Sequence, residues 1–374
     1  MSETAPQRQI VQIECGWNPV RVLSERGAVD MAARNARSPA VLVIGGHSRR
    51  SEFGEAANHR KRLVVPSSRW NSVLALAAEL RRLRPGSVVA VGGGSVLDAA
   101  KVACGLAGLP DEPALGDLVN GTIPLRRTIE LWQIPTTAGT GSEVTKWSSI
   151  WTEDGRKVSV EADALYADVA VLDPALTASM DARLTAATGL DALGHAVESI
   201  WSRNHRPETD RLACHALGLI ARHLPDAVSG PTARHRTGMS SAALHAGLAL
   251  SWCRSTAPHA LSYPFTGVLG IEHGLAVGLM LLAVLEPTER IAPQRVELAA
   301  NALRISGSSG SRGIAAFVKD IFSRAGLTAR LGGFGVTPEF VDQTVAAAAA
   351  QPRFANHPDG LDMDEVRGAL LRLV

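Results

Sequence analysis

The chain has 374 residues, enough for two domains at ~150 residues each, and its 38 Lys and Arg against 36 Asp and Glu leave a net charge of +2. That balance excludes an electrostatic case for nucleic acid or an anionic membrane, and an aromatic share of 4% argues against base-stacking platforms. With 46% hydrophobic and 20% charged residues, the composition is that of a globular protein able to bury a core without disulfides or metal.

In chain order, the N-terminus (MSETAPQRQI) is polar and carries no apolar signal region. Val41 to Ile44 (VLVI) and Ser87 to Val91 (SVVAV) are short, continuous apolar runs ending in glycine, the pattern of strands buried on both faces. Trp70 to Leu83 between them has helical spacing and stops at Pro85-Gly86; Ser95 to Gly105 reads as the next helix. Further strands are expected near Ile134 and at Val169 to Leu172. Strand and helix alternating in this way predict βαβ units and a parallel sheet. From about Thr177 the composition turns Ala- and Leu-rich, with helices expected over Ala182–Ser199, Asp210–Leu224 and Met239–Leu250. The expected architecture is an α/β domain with a parallel sheet over 1–177 and an all-α domain over 178–374. The longest apolar run, Gly274 to Leu285, is too short to span a bilayer. Cys15, Cys104, Cys214 and Cys253 show no CxxC spacing, so reduced, buried thiols and a cytoplasmic enzyme are expected.

Gly92-Gly93-Gly94-Ser95 falls between a predicted strand and a predicted helix. Glycines there let phosphate oxygens approach without a Cβ in the way. The helix start offers N–H groups to an anion, with Ser95 as cap and phosphate donor. A plain strand-to-helix turn is the alternative, since the loop is not a GxGxxG fingerprint. Pro135 to Thr145 (PTTAGTGSEVT) suits either a phosphate- and ribose-lining loop or a Thr-rich solvated turn.

If Thr185 to Ser199 is one helix, Asp191 and His195 stand at i and i+4 on one face. With His259 and His273 from apolar surroundings downstream, three imidazoles and a carboxylate would suit Fe²⁺ or Zn²⁺. A helical salt bridge and satisfied core histidines are the alternative. His47, His205, His223 and His357 lie in more polar stretches and are expected at the surface.

Together GGGSVLDAAK (Gly92–Lys101), PTTAGTGSEVT (Pro135–Thr145), TAATGLDALGHAVES (Thr185–Ser199) and His259 with His273 in EHGLAVG resemble the iron-containing (group III) alcohol dehydrogenase family. The resemblance implies an N-terminal dinucleotide-binding domain, a helical C-terminal domain and a cleft between them. It implies Asp191, His195, His259 and His273 as ligands, usually for Fe²⁺. Gly93, Gly94 and Ser95 would hold the pyrophosphate of NADPH or NADH, with Asp98, Thr136, Thr137, Thr140 and Lys157 also toward the cofactor. Homodimers or larger homo-oligomers are the implied assembly.

Two departures from the family pattern matter. Gly46, followed by His47-Ser48-Arg49-Arg50, stands where many members carry an Asp that bonds the adenosine ribose. Arginines there suit a 2′-phosphate, so NADPH is expected to be used well. Tyr263 stands four residues after His259, where many members have a second His. That segment, with TKWSSIW (Thr145–Trp151) and AVESIWSRN (Ala196–Asn204), is similar to the phosphonoacetaldehyde reductase branch. The implied reaction is reduction of phosphonoacetaldehyde to 2-hydroxyethylphosphonate, with Tyr263 a candidate proton relay. Lys146, Arg254 and Ser262 are the candidate contacts to the phosphonate, with Arg203 a further one. A reductase of small neutral aldehydes is the rival reading. A metal hydrolase would use the same ligands but has no need of a dinucleotide loop.

Overall fold

The structure, a computed structural model, describes residues 9–10, 16–46, 54–307, 309–349 and 351–374. Within these the chain forms two compact units, one comprising residues up to Thr137 with Ser142–Thr177, the other Ala138–Gly141 with Ala178–Val374. Cys15, His47, Arg49 and Arg50 lie outside the described residues.

The first unit is built on β1 (Gln9–Ile10), β2 (Arg21–Ser24), α1 (Ala28–Asn35), β3 (Ala40–Gly45), α2 (Glu55–Asn58), β4 (Lys61–Val65), α3 (Trp70–Leu83), β5 (Ser87–Gly92), α4 (Gly94–Leu106), α5 (Leu115–Val119), β6 (Glu130–Pro135), β7 (Trp147–Trp151), β8 (Lys157–Glu161) and β9 (Val169–Leu172). The sheet order is β1-β2-β9-β6-β5-β3-β4, six parallel strands with β1 antiparallel at one edge. Alternate residues of β5 and β6 go to opposite faces. Val88, Ala90 and Leu131 join the core that includes Leu76, Leu80, Leu97 and Ala100 from α3 and α4. Val89, Val91, Trp132 and Ile134 pack with Ala28, Val29 and Ala32 of α1. Burial on both faces explains why these strands read as continuous apolar runs.

Five strands, β1, β2, β4, β7 and β8, were not expected from the sequence. β4 opens with Lys61 and Arg62, part of the basic cluster that begins at Arg60; charge on an edge strand discourages pairing with another chain. β7 and β8 form a separate antiparallel hairpin, and the alternation of β7 (WSSIW) buries only Ser148 and Ile150. β2 is four residues long, with Val22 its only buried side chain. The predicted helix Trp70–Leu83 and strand Val169–Leu172 match the observed bounds.

A buried polar knot ties α4 to the loop after β6. Lys101, fully enclosed, donates through Nζ to the Thr145 carbonyl (2.9 Å), the Thr145 hydroxyl (3.2 Å) and the Trp147 carbonyl (2.9 Å). Asp98 accepts from the Ser142 hydroxyl (2.6 Å) and the Ser149 amide (2.8 Å). Burial pushes the Lys101 ammonium down to about 8 and the neighbouring Glu143 carboxyl up to about 7. Folded Glu143 thus holds a proton that the unfolded chain releases near its ordinary value. Its contribution to stability is present at pH 4.5 and is lost as pH rises toward 7. Glu143→Gln should flatten that dependence by up to about 3 kcal/mol, read by chemical denaturation at pH 5 and 7.5. An unchanged difference between the two pH values would contradict it.

The second unit is helical: α6 (Ala182–Trp201), α7 (Pro207–Ser229), α8 (Ala233–Cys253), α9 (Ala257–Gly267), α10 (His273–Ile291), α11 (Pro293–Ala302), α12 (Gly310–Arg324), α13 (Pro338–Ala349) and α14 (Met363–Leu371). The Asp181 carboxylate caps α6 by accepting from the Leu184 amide at 2.7 Å. α6 is buried along most of its length and anchors the apolar core of this unit, consistent with its lack of a wide polar face. His223 and His357 are buried, against expectation, whereas His205 is exposed. The His357 ring meets the edge of Trp201 at 5.7 Å, and its Nε2 lies 3.2 Å from the Thr288 hydroxyl. Cys104 and Cys253 are buried thiols and Cys214 is half-buried. No described helix is long and apolar enough to cross a membrane.

Candidate metal centre and nucleotide site

In the first unit, strand order reverses at β3: the chain passes from β3 to β4 on one side, then returns to β5 on the other. Ligands of open α/β sheets bind outside the carboxyl ends of strands at such a switch point. The glycine run lies there. Gly93 is the N-cap of α4, which corrects the expectation that Ser95 caps it; Ser95 is the second helical residue and exposed. A Cβ on Gly92 would come 2.6 Å from Val96 Cβ, so only glycine lets the helix start this close to its strand. The Thr136 amide donates to the Gly92 carbonyl at 3.0 Å. A Cβ on Gly93 would sit 3.4 Å from Thr137 Cγ2. Gly93, Gly94, Ser95, Thr136 and Thr137 are therefore side by side, at a helix N-terminus whose first amides have no intrahelical acceptor. These residues fit a pyrophosphate.

The other nucleotide candidates are placed differently. Gly46 is exposed just beyond β3. Asp98 spends both carboxylate oxygens on Ser142 and Ser149, so its visible work is to hold the loop after β6 against α4. Lys157 begins β8 with its ammonium 5.9 Å from the centre of the Trp151 ring. Thr140 is half-buried and belongs to the segment Ala138–Gly141 of the second unit. There Gly141 has φ +60°, and a Cβ would meet Gly247 Cα at 2.5 Å.

The metal-ligand candidates all lie in the second unit. Asp191 and His195 project from α6 one turn apart, His259 is the third residue of α9, and His273 is the first of α10. Small residues bring these helices together. A Cβ on Gly274 would lie 1.8 Å from the Ala187 carbonyl oxygen and 3.0 Å from Asp191 Cβ, and one on Gly194 would lie 2.5 Å from Val277 Cγ1. Glycine at 274 thus sets the start of α10, and with it His273, against Asp191. The ion pair of Arg183 with Glu272 (Nη2 to Oε2, 2.7 Å) ties the two helix starts together.

Three imidazole nitrogens surround one carboxylate oxygen. Asp191 Oδ1 is 3.6 Å from His195 Nε2, 3.5 Å from His259 Nε2 and 3.9 Å from His273 Nε2. These separations exceed hydrogen-bond length and are those of ligands that share a cation with ~2.0–2.2 Å bonds. Asp191 Oδ1 and His259 Nε2 are buried without a hydrogen-bond partner. Asp191, His195 and His259 have ligand atoms within 4.8 Å of one another and are 4%, 6% and 3% exposed. His273 completes the set from the more open side, with its side chain 24% exposed.

Glu198, which sequence reasoning did not single out, is the second buried carboxylate of this centre. Its Oε1 accepts from His259 Nδ1, which leaves Nε2 as the ligating atom. Its Oε2 accepts from the Thr256 amide (2.6 Å) and hydroxyl (2.9 Å), and Trp201 Nε1 donates to that hydroxyl at 2.9 Å. The spacing offers a signal after the fact: 191, 195 and 198 fall on one helical face. Burial acts to lower the basicity of His259, but Glu198 and Asp191 outweigh it and push the imidazolium up to about 10. Burial likewise opposes ionisation of Asp191, and the three imidazoles reverse the effect and hold its carboxyl far below the usual range. Two buried carboxylates among imidazoles call for positive charge, and a divalent cation at the Nε2 atoms supplies it. The residues present fit the metal.

Tyr263 stands beside this centre, buried, its ring 5.7 Å from that of His273. Ser262 does not face a substrate: its fully buried hydroxyl donates to the His259 carbonyl at 2.9 Å, a bond within its own helix. Arg254 is exposed at the end of α8, with φ 62°. Arg203 pairs with Asp359 at 2.6 Å on the surface. Lys146, in the first unit, is paired with Glu161 (3.3 Å) and Asp163 (3.4 Å), which compensates the charge an anion would need. Arg353 is a further residue that sequence reasoning missed. Its guanidinium donates to the Tyr263 hydroxyl and lies 4.5 Å from the ring centre.

The first unit thus carries a glycine turn that fits a phosphate, and the second an Asp/His₃ cluster that fits a divalent cation. The chain belongs to the iron-containing alcohol dehydrogenase family. The profile described as "Iron-containing alcohol dehydrogenase" matches residues 19–174, and that described as "Fe-containing alcohol dehydrogenase family, C-terminal" matches residues 185–373. The chain is 36% identical over 298 residues to the probable alcohol dehydrogenase EutG of Escherichia coli K12, covering 79% of this chain and 75% of that one. Over 221 residues it is 38% identical to the phosphonoacetaldehyde reductase of Streptomyces viridochromogenes, 56% of this chain and 55% of that one. Among solved structures, the sulfoacetaldehyde reductase of Bifidobacterium kashiwanohense in complex with NAD⁺ superposes with a TM-score of 0.84 at 28% identity, covering 95% and 97% of the two chains.

Proposed function

We propose that this oxidoreductase reduces phosphonoacetaldehyde to 2-hydroxyethylphosphonate with NADPH, using Fe²⁺ at Asp191, His195, His259 and His273. The observation that carries the reading is the convergence of three Nε2 atoms on Asp191 Oδ1. Two relatives named above act on aldehydes of one shape, a two-carbon aldehyde bearing a tetrahedral oxyanion, which supports an anionic substrate over a neutral one. When bound, the cation supplies Lewis acidity and the reduced nicotinamide supplies hydride. The chain's own residues do the rest. Glu198 orients His259, Gly274 allows His273 to approach, and Tyr263 offers a hydroxyl beside His273 for the proton the alcohol product requires. NADPH is preferred in this reading because Gly46 removes a carboxylate from the ribose site and arginines at 49 and 50 follow it. The assembly is read as a homo-oligomer, by likeness to the family.

The test is a rate assay on purified Fe²⁺-loaded protein with phosphonoacetaldehyde, acetaldehyde and propanal, each with NADPH and with NADH. The expected kcat/KM ratio of phosphonate to neutral aldehyde is at least about a hundredfold, or about 2.8 kcal/mol, with NADPH favoured. Equal rates on the three aldehydes would discard the phosphonate reading, and a strong NADH preference would discard the cofactor reading.

A further inference from the structure

We propose that Arg353 is the cation that receives the phosphonate, and that with Tyr263 it sets the specificity of the metal centre for anionic aldehydes; this rests on the function proposed above.

In phosphonoacetaldehyde one methylene separates the carbonyl carbon from phosphorus, so a group binding the anion must lie close to the metal ligands. Among the substrate candidates taken from sequence, Lys146 is held by two carboxylates and Ser262 is sealed inside its helix. Arg353 is differently placed. The chain of contacts from the metal centre is short: the His273 ring lies 5.7 Å from the Tyr263 ring, and the Arg353 guanidinium lies 4.5 Å from that same ring. Arg353 Nη1 donates to the Tyr263 hydroxyl and, at 3.4 Å, to the Ser255 hydroxyl. The side chain is half-buried, which strengthens its electrostatics relative to a solvated surface arginine.

The position is built rather than incidental. Arg353 lies in a single 3₁₀ turn, Pro352–Asn356, after α13. Asn356 fastens that turn: its Nδ2 donates to the Ser255 carbonyl (3.0 Å), its Oδ1 accepts from Asn204 Nδ2 (3.0 Å), and its own carbonyl accepts from the Arg203 amide (2.9 Å). Ser255 precedes Thr256, the residue that bonds Glu198. The segment that steadies the metal ligands thus also steadies Arg353. A guanidinium carries five N–H donors in one plane, the fork that matches two oxygens of a tetrahedral anion. A phenol that accepts from Arg353 keeps its own O–H to donate, so Tyr263 can reach the reacting end while Arg353 holds the other.

The experiment uses the metal-loaded full-length enzyme and the variants Arg353→Ala, Arg353→Gln and Arg353→Lys. Two readouts are taken: the ratio of kcat/KM for phosphonoacetaldehyde to that for acetaldehyde, and the Kd of unreactive ethylphosphonate by calorimetry. The ratio should fall at least about 30-fold in the Ala and Gln variants, mostly through KM for the phosphonate. Ethylphosphonate affinity should fall by a similar factor, and Lys, which keeps charge but not the fork, should recover part of both. A wild type that prefers the phosphonate, with variants that keep the ratio and the Kd within about threefold, would overturn the role of Arg353 and leave the proposed function standing. A wild type with no preference would overturn both. The Lys variant, which preserves bulk and charge, keeps the test decisive if truncation unfolds the turn.

Discussion

Asp191→Ala should leave purified protein with less than about a tenth of the metal of the wild type and reduce kcat/KM by at least about a thousandfold. Among the described residues Asp191 alone places a carboxylate oxygen among all three imidazole Nε2 atoms, at 3.5–3.9 Å, so its loss should remove both a ligand and the charge that attracts the cation. Removing one member of a cluster that works as a unit costs nearly as much as removing several. Metal analysis on gel-filtered protein and steady-state kinetics check the two halves separately. Full metal content with lost activity would make Asp191 something other than a ligand, and full activity would remove the metal from the mechanism.

Glu198 carries the second large effect. It touches no cation, yet it fixes the tautomer of His259 and balances charge from a fully buried position. Partners of this type are worth about 10–100-fold in metal affinity. Glu198→Gln keeps the shape and the bonds to Thr256 but loses the charge, and should weaken metal binding by that factor in a chelator competition. Glu198→Ala should do more, since it strands the Thr256 amide and hydroxyl and removes the acceptor of His259 Nδ1; a stability loss of about 3 kcal/mol or more is expected. The diagnostic result is a Gln variant that regains activity when metal is supplied in excess. A Gln variant with unaltered metal affinity would make Glu198 a packing residue only.

The parts of this molecule that were legible in sequence are those whose pattern is local. β3, β5 and β9 are buried on both faces and read as unbroken apolar runs. α3 carries its own stop signal, and Asp191 and His195 share one helix. What stayed hidden depends on contacts far apart in the chain. β4 is an edge strand with basic residues, and β7 and β8 are short and alternate, so neither resembles a core strand. Glu198 faces His259 across 61 positions, and Arg353 meets Tyr263 across 90. Nearness in sequence to His259 favoured Arg254, which stands exposed at the end of α8. His223 and His357 lie in polar stretches of sequence yet are buried, His223 against Gly238 of α8 and His357 beside Trp201 and Thr288.

The roles given to Asp191, His195, His259, His273 and Glu198 all depend on a single cation among the first four. An anomalous-scattering map at the iron edge, from crystals of the Fe²⁺-loaded protein, tests it most directly. One strong peak per chain is expected, about 2.0–2.3 Å from Asp191 Oδ1 and from each of the three Nε2 atoms. A map with no peak there, or with its peak at another histidine group such as His223 and His235, would contradict it.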